Sequence, residues 1–247
     1  MKIFPLSEGS FTIDKTKVFI PFDKGKDDLQ QRAVGSLLVE VQPFAIVTNN
    51  DVIIIDTGLG FSNPNGVLQI HQNLIDNGID PLSVTKVLIS HLHKDHAGGI
   101  SKEDKILGHY FLSFPQAKYY IDKNEFDYAN EKGFPSYTPE EFQILNSAEQ
   151  VVFTEGNGKI DDYITYEVSG AHCPYHRVFF VEEEGEKIFF GGDVAPQLQQ
   201  MKSRFIAKYD YDGKKCMELR QQWWEQGQRE HWTFLFYHDI KTPLIRF

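Results

Sequence analysis

The chain has 247 residues, of which 41% are hydrophobic and 14% aromatic, so it is long enough to bury a large core. Its formal net charge of -10 argues against binding to long nucleic acids, which needs a basic surface. The sequence lacks an apolar run of about 18 residues that would span a membrane, and its first residues do not form a signal peptide. Because only Cys173 and Cys216 are available for pairing, we expect no disulfide scaffold. We expect a cytoplasmic protein without nucleic-acid or membrane partners.

The first third of the chain alternates apolar, β-branched runs with turns. Three runs are predicted strands of one antiparallel sheet, with a turn at 49–51 between the last two: 36–41, 44–47 and 52–56. Apolar residues on one helical face then predict a helix from Val67 to Ile75, which Gly78 ends. The run 84–90 predicts a buried strand.

Residues 90–99, SHLHKDHAGG, contain four potential metal ligands within six positions: His91, His93, Asp95 and His96. Helical ligand pairs are spaced i and i+4, whereas His91 and His93 at i and i+2 share a side only in extended chain. Gly98 and Gly99 allow a sharp turn where a Cβ would clash. We therefore expect these ligands on a loop after the strand. A solvated, loosely metal-binding histidine tract is the alternative, but the position between a strand and two glycines favours a metal site.

The second half of the chain repeats the pattern of strands followed by helices. The predicted strands are 118–121, 163–168, 178–181, 187–190 and 232–237, and the predicted helices are 123–130, 138–145 and 216–226. Two blocks of strands with helices after each predict an α+β fold in which two sheets pack face to face with helices outside. We expect one domain over residues 1–247.

Three more metal-competent residues, His172, Asp193 and His238, each follow a predicted strand. Each has an ordinary structural alternative: a hydrogen-bonded core histidine, a turn-capping aspartate and a surface histidine. Strand ends that meet at one edge bring such residues into a shared cleft. Together they favour a metal site.

The order of these motifs resembles the metallo-β-lactamase fold superfamily over about residues 35–240. The motifs are Asp56-Thr57-Gly58, His91-x-His93-x-Asp95-His96, His172 within GAHCPYH, Asp193 after two glycines, and His238. The resemblance implies a four-layer αββα sandwich of two mixed sheets flanked by helices, with the site at one edge of the sheets.

The resemblance also implies a centre with two divalent ions. The implied ligands are His91, His93 and His172 for the first ion, Asp95, His96 and His238 for the second, and Asp193 as a bridge. Zinc is the expected metal, with manganese or iron as alternatives, because affinity alone does not choose the metal. A hydroxide bridging the two ions would attack an ester-type bond, and Asp95, the expected catalytic residue, would orient it or pass its proton to the leaving group.

Residues next to this centre have other expected roles. Asp56 is expected to hydrogen-bond the ligand loop rather than a metal. His176 and His109 are expected to be structural.

Differences between this sequence and particular branches of the family limit the expected substrate class. The presence of both Asp193 and His238 argues against a dedicated β-lactamase. The nine residues after His238 leave no room for the C-terminal helical domain of glyoxalase II-like thioesterases, and the acidic charge argues against the RNA-processing branch. The remaining resemblance is to quorum-signal lactonases and organophosphate hydrolases, which implies a small-molecule lactone, ester or phosphoester substrate.

One feature of those lactonases is missing, a tyrosine a few residues after the bridging aspartate. Residues 194–196 are Val-Ala-Pro, so a hydroxyl would come from Tyr175, Tyr209 or Tyr237. Aromatic candidates for a substrate pocket, with a core position as the alternative, are Tyr175, Phe205, Trp223 and Trp224.

Two other functions stay open. A single iron held by the first histidines would support sulfur oxidation, as in persulfide dioxygenases of this fold, although the complete second ligand set makes that less economical. A non-catalytic metal-binding member is the other alternative, and the intact ligand set argues against it.

Overall fold

The computed structural model describes residues 1–104 and 107–247, which form seventeen strands and six α-helices. The strands are β1 Lys2–Pro5, β2 Gly9–Ile13, β3 Ile20–Pro21, β4 Leu37–Val41, β5 Phe44–Val47, β6 Val52–Ile55, β7 Lys86–Leu88, β8 Ser101–Asp104, β9 His109–Leu112, β10 Lys118–Asp122, β11 Val151–Thr154, β12 Gly158–Ile160, β13 Ile164–Val168, β14 Arg177–Glu183, β15 Glu186–Phe190, β16 Thr233–Leu235 and β17 Leu244–Arg246. The helices are α1 Gln69–Asp76, α2 Lys94–Ala97, α3 Lys123–Lys132, α4 Pro139–Phe142, α5 Leu198–Met201 and α6 Gly213–Arg229.

Two six-stranded mixed sheets contain most of these strands. Their orders are β1-β5-β6-β7-β10-β11 and β12-β13-β14-β15-β16-β17. The predicted antiparallel pairing of β5 with β6 is confirmed. The prediction that β4 joins them is wrong, because β4 pairs with β2 in a separate sheet of order β3-β2-β4. The chain passes from β4 to β5 through Gln42 and Pro43. The Pro43 carbonyl accepts a hydrogen bond from the Leu6 amide.

Hydrophobic side chains form three layers of core around the two sheets. Along β6, Ile53 and Ile55 pack between the sheets, whereas Ile54 faces the layer that α1, α3 and α4 cover. This alternation follows the two-residue period of a strand, and all three residues are apolar because both faces are covered. A third cluster, including Phe189 and Trp223, lies between the second sheet and α6. The predicted four-layer αββα sandwich is confirmed.

The ligand segment differs from the predicted loop. His91 and His93 do lie in extended chain after β7, but Asp95 and His96 lie on the single turn of α2. The turn forms because the amides of His96 and Ala97 donate to the His93 carbonyl. The prediction of a fully non-helical segment is therefore wrong for residues 94–97.

The two glycines after this turn allow a close approach to the Asp56-Thr57-Gly58 segment. A Cβ on Gly99 would lie 2.1 Å from the Thr57 carbonyl oxygen, and one on Gly98 would lie 2.5 Å from that of Leu59. Real Cβ atoms do not approach backbone oxygens so closely. The expected role of these glycines is confirmed.

A buried arginine ties the two sheets together at the edge where the ligands lie. Arg177 on β14 pairs with the Asp122 carboxylate at the end of β10 and donates to Thr154 Oγ1 at 2.6 Å. Its amide donates to the Ser90 carbonyl at 2.9 Å. Asp122 also caps α3 by accepting from the amides of residues 124 and 125. The arginine thus fixes the ligand segment relative to both sheets.

The described residues contain no helix that is both long and apolar enough to cross a membrane. Cys173 and Cys216 are both buried and free.

Candidate metal centre

The structure brings all seven predicted ligands together at one edge of the sandwich. They fall into two groups. Within each group, the ligand atoms all lie within 4.8 Å of one another. The groups are His91, His93, His172 and Asp193, and Asp95, His96 and His238. Each group has the donors to hold a metal ion.

In the first group, three imidazole nitrogens point toward one another. His93 Nδ1 lies 2.9 Å from His91 Nε2 and 3.1 Å from His172 Nε2. Burial lowers the pKa of His91 well below its usual range, and burial together with His172 does the same for His93. These rings are therefore neutral at ordinary pH and offer lone pairs to a cation.

The carboxylate of Asp193 lies between the two groups. Its Oδ2 is 3.2 Å from His172 Nε2, and its Oδ1 is 3.1 Å from His96 Nε2 and 3.0 Å from His238 Nε2. Asp95 Oδ2 faces the second group, 3.4 Å from His238 Nε2. One oxygen of Asp193 thus faces each group, which is the arrangement that a bridging ligand needs.

Two buried atoms test whether the site suits a cation. His96 Nε2 and Asp193 Oδ1 are buried and lie 3.1 Å apart, but within the described part of the chain neither makes a well-aligned hydrogen bond. Unpaired buried polar atoms are rare and costly. A shared cation would satisfy both, and imidazole with carboxylate is a donor set for zinc and related divalent metals. The residues fit two such ions.

The charges at the site point the same way. Burial alone would raise the pKa of Asp193, but His238, His96 and His172 outweigh burial and hold it well below the usual value. Burial would lower the pKa of His96, but the carboxylates of Asp193, Asp95 and Asp56 outweigh it and raise the pKa well above its usual value. The carboxylates thus require positive charge in this space. In the absence of metal the raised pKa of His96 favours its protonated form, so a metal bound there would displace protons.

Four of the histidine rings are fixed by a partner on the side away from the centre. The partners are Ser90 Oγ for His91 Nδ1 at 3.0 Å, Asp56 Oδ2 for His96 Nδ1 at 2.7 Å, Asp210 Oδ1 for His172 Nδ1 at 2.8 Å, and the Glu40 carbonyl for His238 Nδ1 at 2.6 Å. Such contacts set the orientation of a ligating ring and increase its basicity.

The expected role of Asp56 is confirmed by its contacts. Its Oδ1 accepts from the Ser90 amide and its Oδ2 from the Ser90 hydroxyl, each at 2.7 Å. Asp56 has a φ of 56°, a left-handed conformation that aspartate tolerates better than most residues. Asp56 therefore holds the start of the ligand segment, at Ser90, and the ring of His96 through the same carboxylate.

The two histidines expected to be structural lie outside both groups. His176 Nε2 accepts a hydrogen bond from the Asp193 amide at 3.1 Å, and its Nδ1 contacts Ser169 Oγ. His109 lies exposed on β9. His176 thus positions the backbone of Asp193, whereas a structural role for His109 stays a prediction.

Asp210 was missed by the sequence reasoning. It follows no predicted strand and belongs to no motif, but its side chain is only 2% exposed and contacts His172. The amides of Tyr211 and Asp212 donate to the carbonyls of His172 and Ala171, and these bonds bring the segment back to the ligand. The sequence offers no signal for this contact, since it depends on a loop path.

Asp210→Asn is expected to weaken metal binding at the first group by about 10–100-fold, because the amide no longer stabilises the charge on the His172 ring. Competition with a chromophoric chelator measures the affinity. Asp162→Asn on the exposed turn before β13 is the matched control. Equal affinities in the two variants would show that Asp210 does not support the ligand.

A cavity of about 690 Å³ opens onto both groups of ligands. Its walls come from the end of β2 and the following turn, from β4, and from the segment 196–209. Its apolar lining includes Ile13, Phe19, Leu37, Val39 and Phe205. The size and mainly apolar lining suit a small organic molecule.

The candidate aromatic residues divide between this cavity and the core. Phe205 and Tyr209 line the cavity. Trp223 is buried in the cluster beneath α6, and Trp224 packs against the same cluster. Tyr175 contacts Tyr128 and lies outside the lining. Trp223 and Trp224 therefore follow the core alternative.

The tyrosine candidates for a hydroxyl reduce to one. Tyr237 is fully buried, stacks on His96 and donates its hydroxyl to the Asp95 carbonyl at 2.6 Å. Of the three candidates, Tyr209 lines the cavity, and its ring centroid lies 6.3 Å from that of His172.

Glu125 is a buried carboxyl that supports the ligand segment from behind. Its Oε1 accepts from the Leu92 amide at 3.0 Å, and Cys173 donates its thiol to Oε2 at 3.4 Å. Burial raises the pKa of Glu125 from its usual value near 4.5 to about 7. The folded protein therefore binds this proton more tightly than the unfolded chain does.

This shift predicts a pH-dependent cost in stability. Between pH 4.5 and 7 the folded state holds a proton that the unfolded state has lost, so stability falls as pH rises through this window. Glu125→Gln removes that dependence, so the wild type is expected to lose up to about 3 kcal/mol relative to the variant between pH 4.5 and 8. Urea unfolding at a series of pH values measures the difference. Glu155→Gln, an exposed change, is the control, and parallel curves for Glu125→Gln and wild type would contradict the shift.

The comparisons with known proteins agree with this geometry. A family model described as the metallo-beta-lactamase superfamily matches residues 39–222. The chain belongs to the metallo-beta-lactamase superfamily. The matched segment contains six of the seven candidate ligands, and His238 follows it.

Curated relatives in this superfamily include an N-acyl homoserine lactonase, AttM, of Azorhizobium caulinodans. It is 30% identical over 118 residues, which cover 42% of this chain and 38% of the relative. The chain thus matches less than half of the length of this relative.

Solved structures show the same fold. A probable metal-dependent hydrolase from Staphylococcus aureus has a TM-score of 0.77 at 20% identity, covering 99% of this chain and 91% of the other. The dizinc quorum-quenching lactonase AidC, in complex with N-hexanoyl-L-homoserine as product, has a TM-score of 0.69 at 18% identity, covering 98% and 88%. At these identities the likeness concerns the fold.

Proposed function

We propose that the chain is a hydrolase that uses two divalent metal ions, with zinc as the expected metal, to cleave an ester-type bond in a small molecule. The observation that carries this proposal is the carboxylate of Asp193, which lies between two groups of metal-competent residues at the base of an open cavity. The residues at the base provide for metal binding, and the cavity provides room for a substrate beside them.

The metal ions would supply Lewis acidity and an ionised water near neutral pH. Asp95 lines the cavity and is 8% exposed, so its carboxylate has access to a substrate. In the proposed reaction it holds the attacking water in position and passes a proton to the departing oxygen. Tyr209 is the tyrosine whose hydroxyl can polarise the substrate carbonyl or assist the leaving group.

A lactone or carboxylic ester is the preferred substrate class, with a phosphoester next. The curated relative is an N-acyl homoserine lactonase, and the solved relative AidC holds the ring-opened product of such a lactone. The mainly apolar cavity wall suits an acyl or alkyl group next to the reacting carbonyl.

The two alternative functions differ from the hydrolase in the number of metal ions or in the access to them that they need. A mononuclear iron dioxygenase needs one ion and consumes oxygen, which leaves Asp95, His96 and His238 without a role. A non-catalytic member needs no free access to the metals, whereas the cavity reaches both groups. Both observations favour the hydrolase.

A substrate panel run on protein reconstituted separately with zinc, manganese and iron tests the proposal. Lactones, carboxylic esters, thioesters, phosphotriesters and phosphodiesters form the panel. Asp95→Asn is assayed together with its metal content, because Asp95 is both a candidate ligand and the proposed catalytic residue. We expect turnover of lactones or esters with at least one divalent metal and a strong loss in Asp95→Asn. Oxygen consumption with a single iron per chain, or no turnover of any class, would contradict the proposed function.

We further propose that residues 1–247 act as one domain in the cytoplasm on a small-molecule substrate. The two free, buried cysteines suit a reducing compartment. The net charge of -10 argues against a nucleic-acid partner.

A further inference from the structure

Three lysines line the cavity of this acidic protein: Lys15, Lys17 and Lys94. Among the described residues that line the cavity, Asp14 is the one acidic residue that is not a candidate metal ligand. The part of the cavity away from the metal groups therefore carries a net positive charge, although the chain as a whole carries -10. A positive lining in a negative protein attracts a substrate with an anionic group.

A structured turn holds two of these lysines at the cavity. The Asp14 carboxylate accepts from the amide and the hydroxyl of Thr16 at 2.9 and 2.5 Å, and the Lys17 amide donates to the Asp14 carbonyl at 3.0 Å. Lys17 has a φ of 59°, a left-handed conformation that costs free energy in a non-glycine residue. Only one carboxylate oxygen of Asp14, Oδ1, is engaged by Thr16 within the turn, and the turn fixes the position of Lys17.

The third lysine, Lys94, lies on α2 between His93 and Asp95 in the sequence. Its amine lies 5.8 Å from the centre of the Phe19 ring and 5.7 Å from that of Phe134, so both rings help to position it. Lys17 and Lys94 are each half-buried and lie close enough for their charges to repel.

None of the three amines forms a salt bridge with a carboxylate of the described residues. The carboxylates of Asp95 and Glu141 attract Lys94, but neither forms a salt bridge with it, whereas the buried Lys86 pairs with two acids. Two half-buried cations without an ion-pair partner are unfavourable unless an anion joins them. The arrangement is that of an incomplete anion site.

The cavity that these lysines share with the metal groups also has apolar walls. Ile13, Phe19, Leu37 and Val39 line it. A ligand that occupies the cavity from the metal groups to the lysines therefore combines an apolar part with a charged group.

We propose that the substrate carries a second, anionic group, separated from the scissile ester by an apolar segment, and that Lys17 and Lys94, with Lys15 at the rim, bind this group. This inference rests on the proposed function, since it names the substrate class of the same site. Lys17 and Lys94 thereby determine specificity rather than perform the chemistry.

Binding of dicarboxylates to the zinc-loaded protein tests the anion site without any turnover. Calorimetry compares a series from glutarate to sebacate with the monocarboxylates of equal length, such as adipate with hexanoate. We expect the best dicarboxylate to bind about tenfold tighter than its monocarboxylate, because one end meets the metals and the other forms charge-assisted hydrogen bonds with the lysines.

Variants assign that preference to a residue. Lys17→Gln is expected to reduce the preference to about the twofold factor that two equivalent ends give, whereas Lys17→Arg retains it and controls for folding of the turn. Lys159→Gln changes an exposed lysine on β12. It is the matched control and is expected to retain the full preference. No preference in the wild type, or a preference that Lys17→Gln leaves unchanged, would overturn the inference.

A kinetic comparison separates this inference from the proposed function. Nitrophenyl hexanoate and the mono-nitrophenyl ester of adipate differ only in the far end, and Lys17→Gln is expected to reduce kcat/KM for the charged ester about tenfold through KM. Hydrolysis of the neutral ester without any dicarboxylate preference would overturn the anion site and leave the hydrolase standing. A dicarboxylate preference without hydrolysis of any panel substrate would support the anion site and contradict the hydrolase.

Discussion

Asp193→Ala is expected to reduce hydrolysis by at least about a thousandfold, since it removes a direct ligand of both proposed ions rather than an outer partner. The side chain faces His172 with one oxygen and His96 and His238 with the other. Without it, the two groups no longer share a negative ligand, and the metal content per chain is expected to fall as well. Steady-state kinetics together with elemental analysis of the same samples measures both effects.

The control for this substitution is Asp162→Ala, which removes a carboxylate from an exposed turn and is expected to leave metal content and activity unchanged. Asp193→Asn keeps the shape and removes the charge, and it is expected to lie close to the alanine variant. Retained activity at normal metal content in Asp193→Ala would contradict the bridging role.

Removal of the metals is expected to abolish activity and to lower the melting temperature by roughly 10 °C. A ligand present at a thousand times its dissociation constant stabilises the native state by about 4 kcal/mol, and for a protein of this size 1 kcal/mol corresponds to about 2–4 °C. The structural reason is the set of buried carboxylates, Asp56, Asp95 and Asp193, whose charge the metals neutralise. Dialysis against a chelator followed by calorimetry measures the shift.

Readdition of zinc provides the control for this experiment, because it restores both properties if the chain stays folded. It is also expected to release protons, since the pKa values of His96 and His238 are raised in the metal-free site by neighbouring carboxylates that outweigh burial. A melting temperature and an activity that chelation leaves unchanged would contradict a metal-dependent function.

The candidate ligand set could be proposed from the sequence because most of these residues follow a strand that the sequence shows as an apolar run. His91 and His93 follow β7, Asp193 follows β15, and His238 follows β16. Fully buried strands of the two sheets read as apolar runs, so their ends locate the cleft. Here strand periodicity and ligand spacing together determine the candidate centre.

The small N-terminal sheet could not be predicted in the same way. Strand β3 has only two residues, both exposed, and β2 begins with glycine, so neither shows the alternation of a half-buried strand. The place of β4 in this sheet rather than beside β5 is set by tertiary pairing. The same sheet forms a wall of the cavity, so the substrate site depends on the least predictable part of the fold.

The short helix α2 and the contact of Asp210 with His172 were missed for related reasons. Four residues before two glycines show no helical period, and the turn is joined to the rest of the site by a long-range hydrogen bond from the Thr57 amide to the His96 carbonyl. Asp210 reaches His172 through a loop whose path no local pattern encodes. Local sequence specified the ligands, whereas their supports arise from long-range contacts.

The most direct test of the dinuclear centre is a count of metal ions per chain with their positions. Elemental analysis of zinc-reconstituted protein, with an anomalous difference map from its crystals, gives both quantities. Two ions per chain, one at each group of ligands and with Asp193 between them, are the predicted result. A single ion at saturating zinc, or two ions of which neither contacts Asp193, would contradict the account.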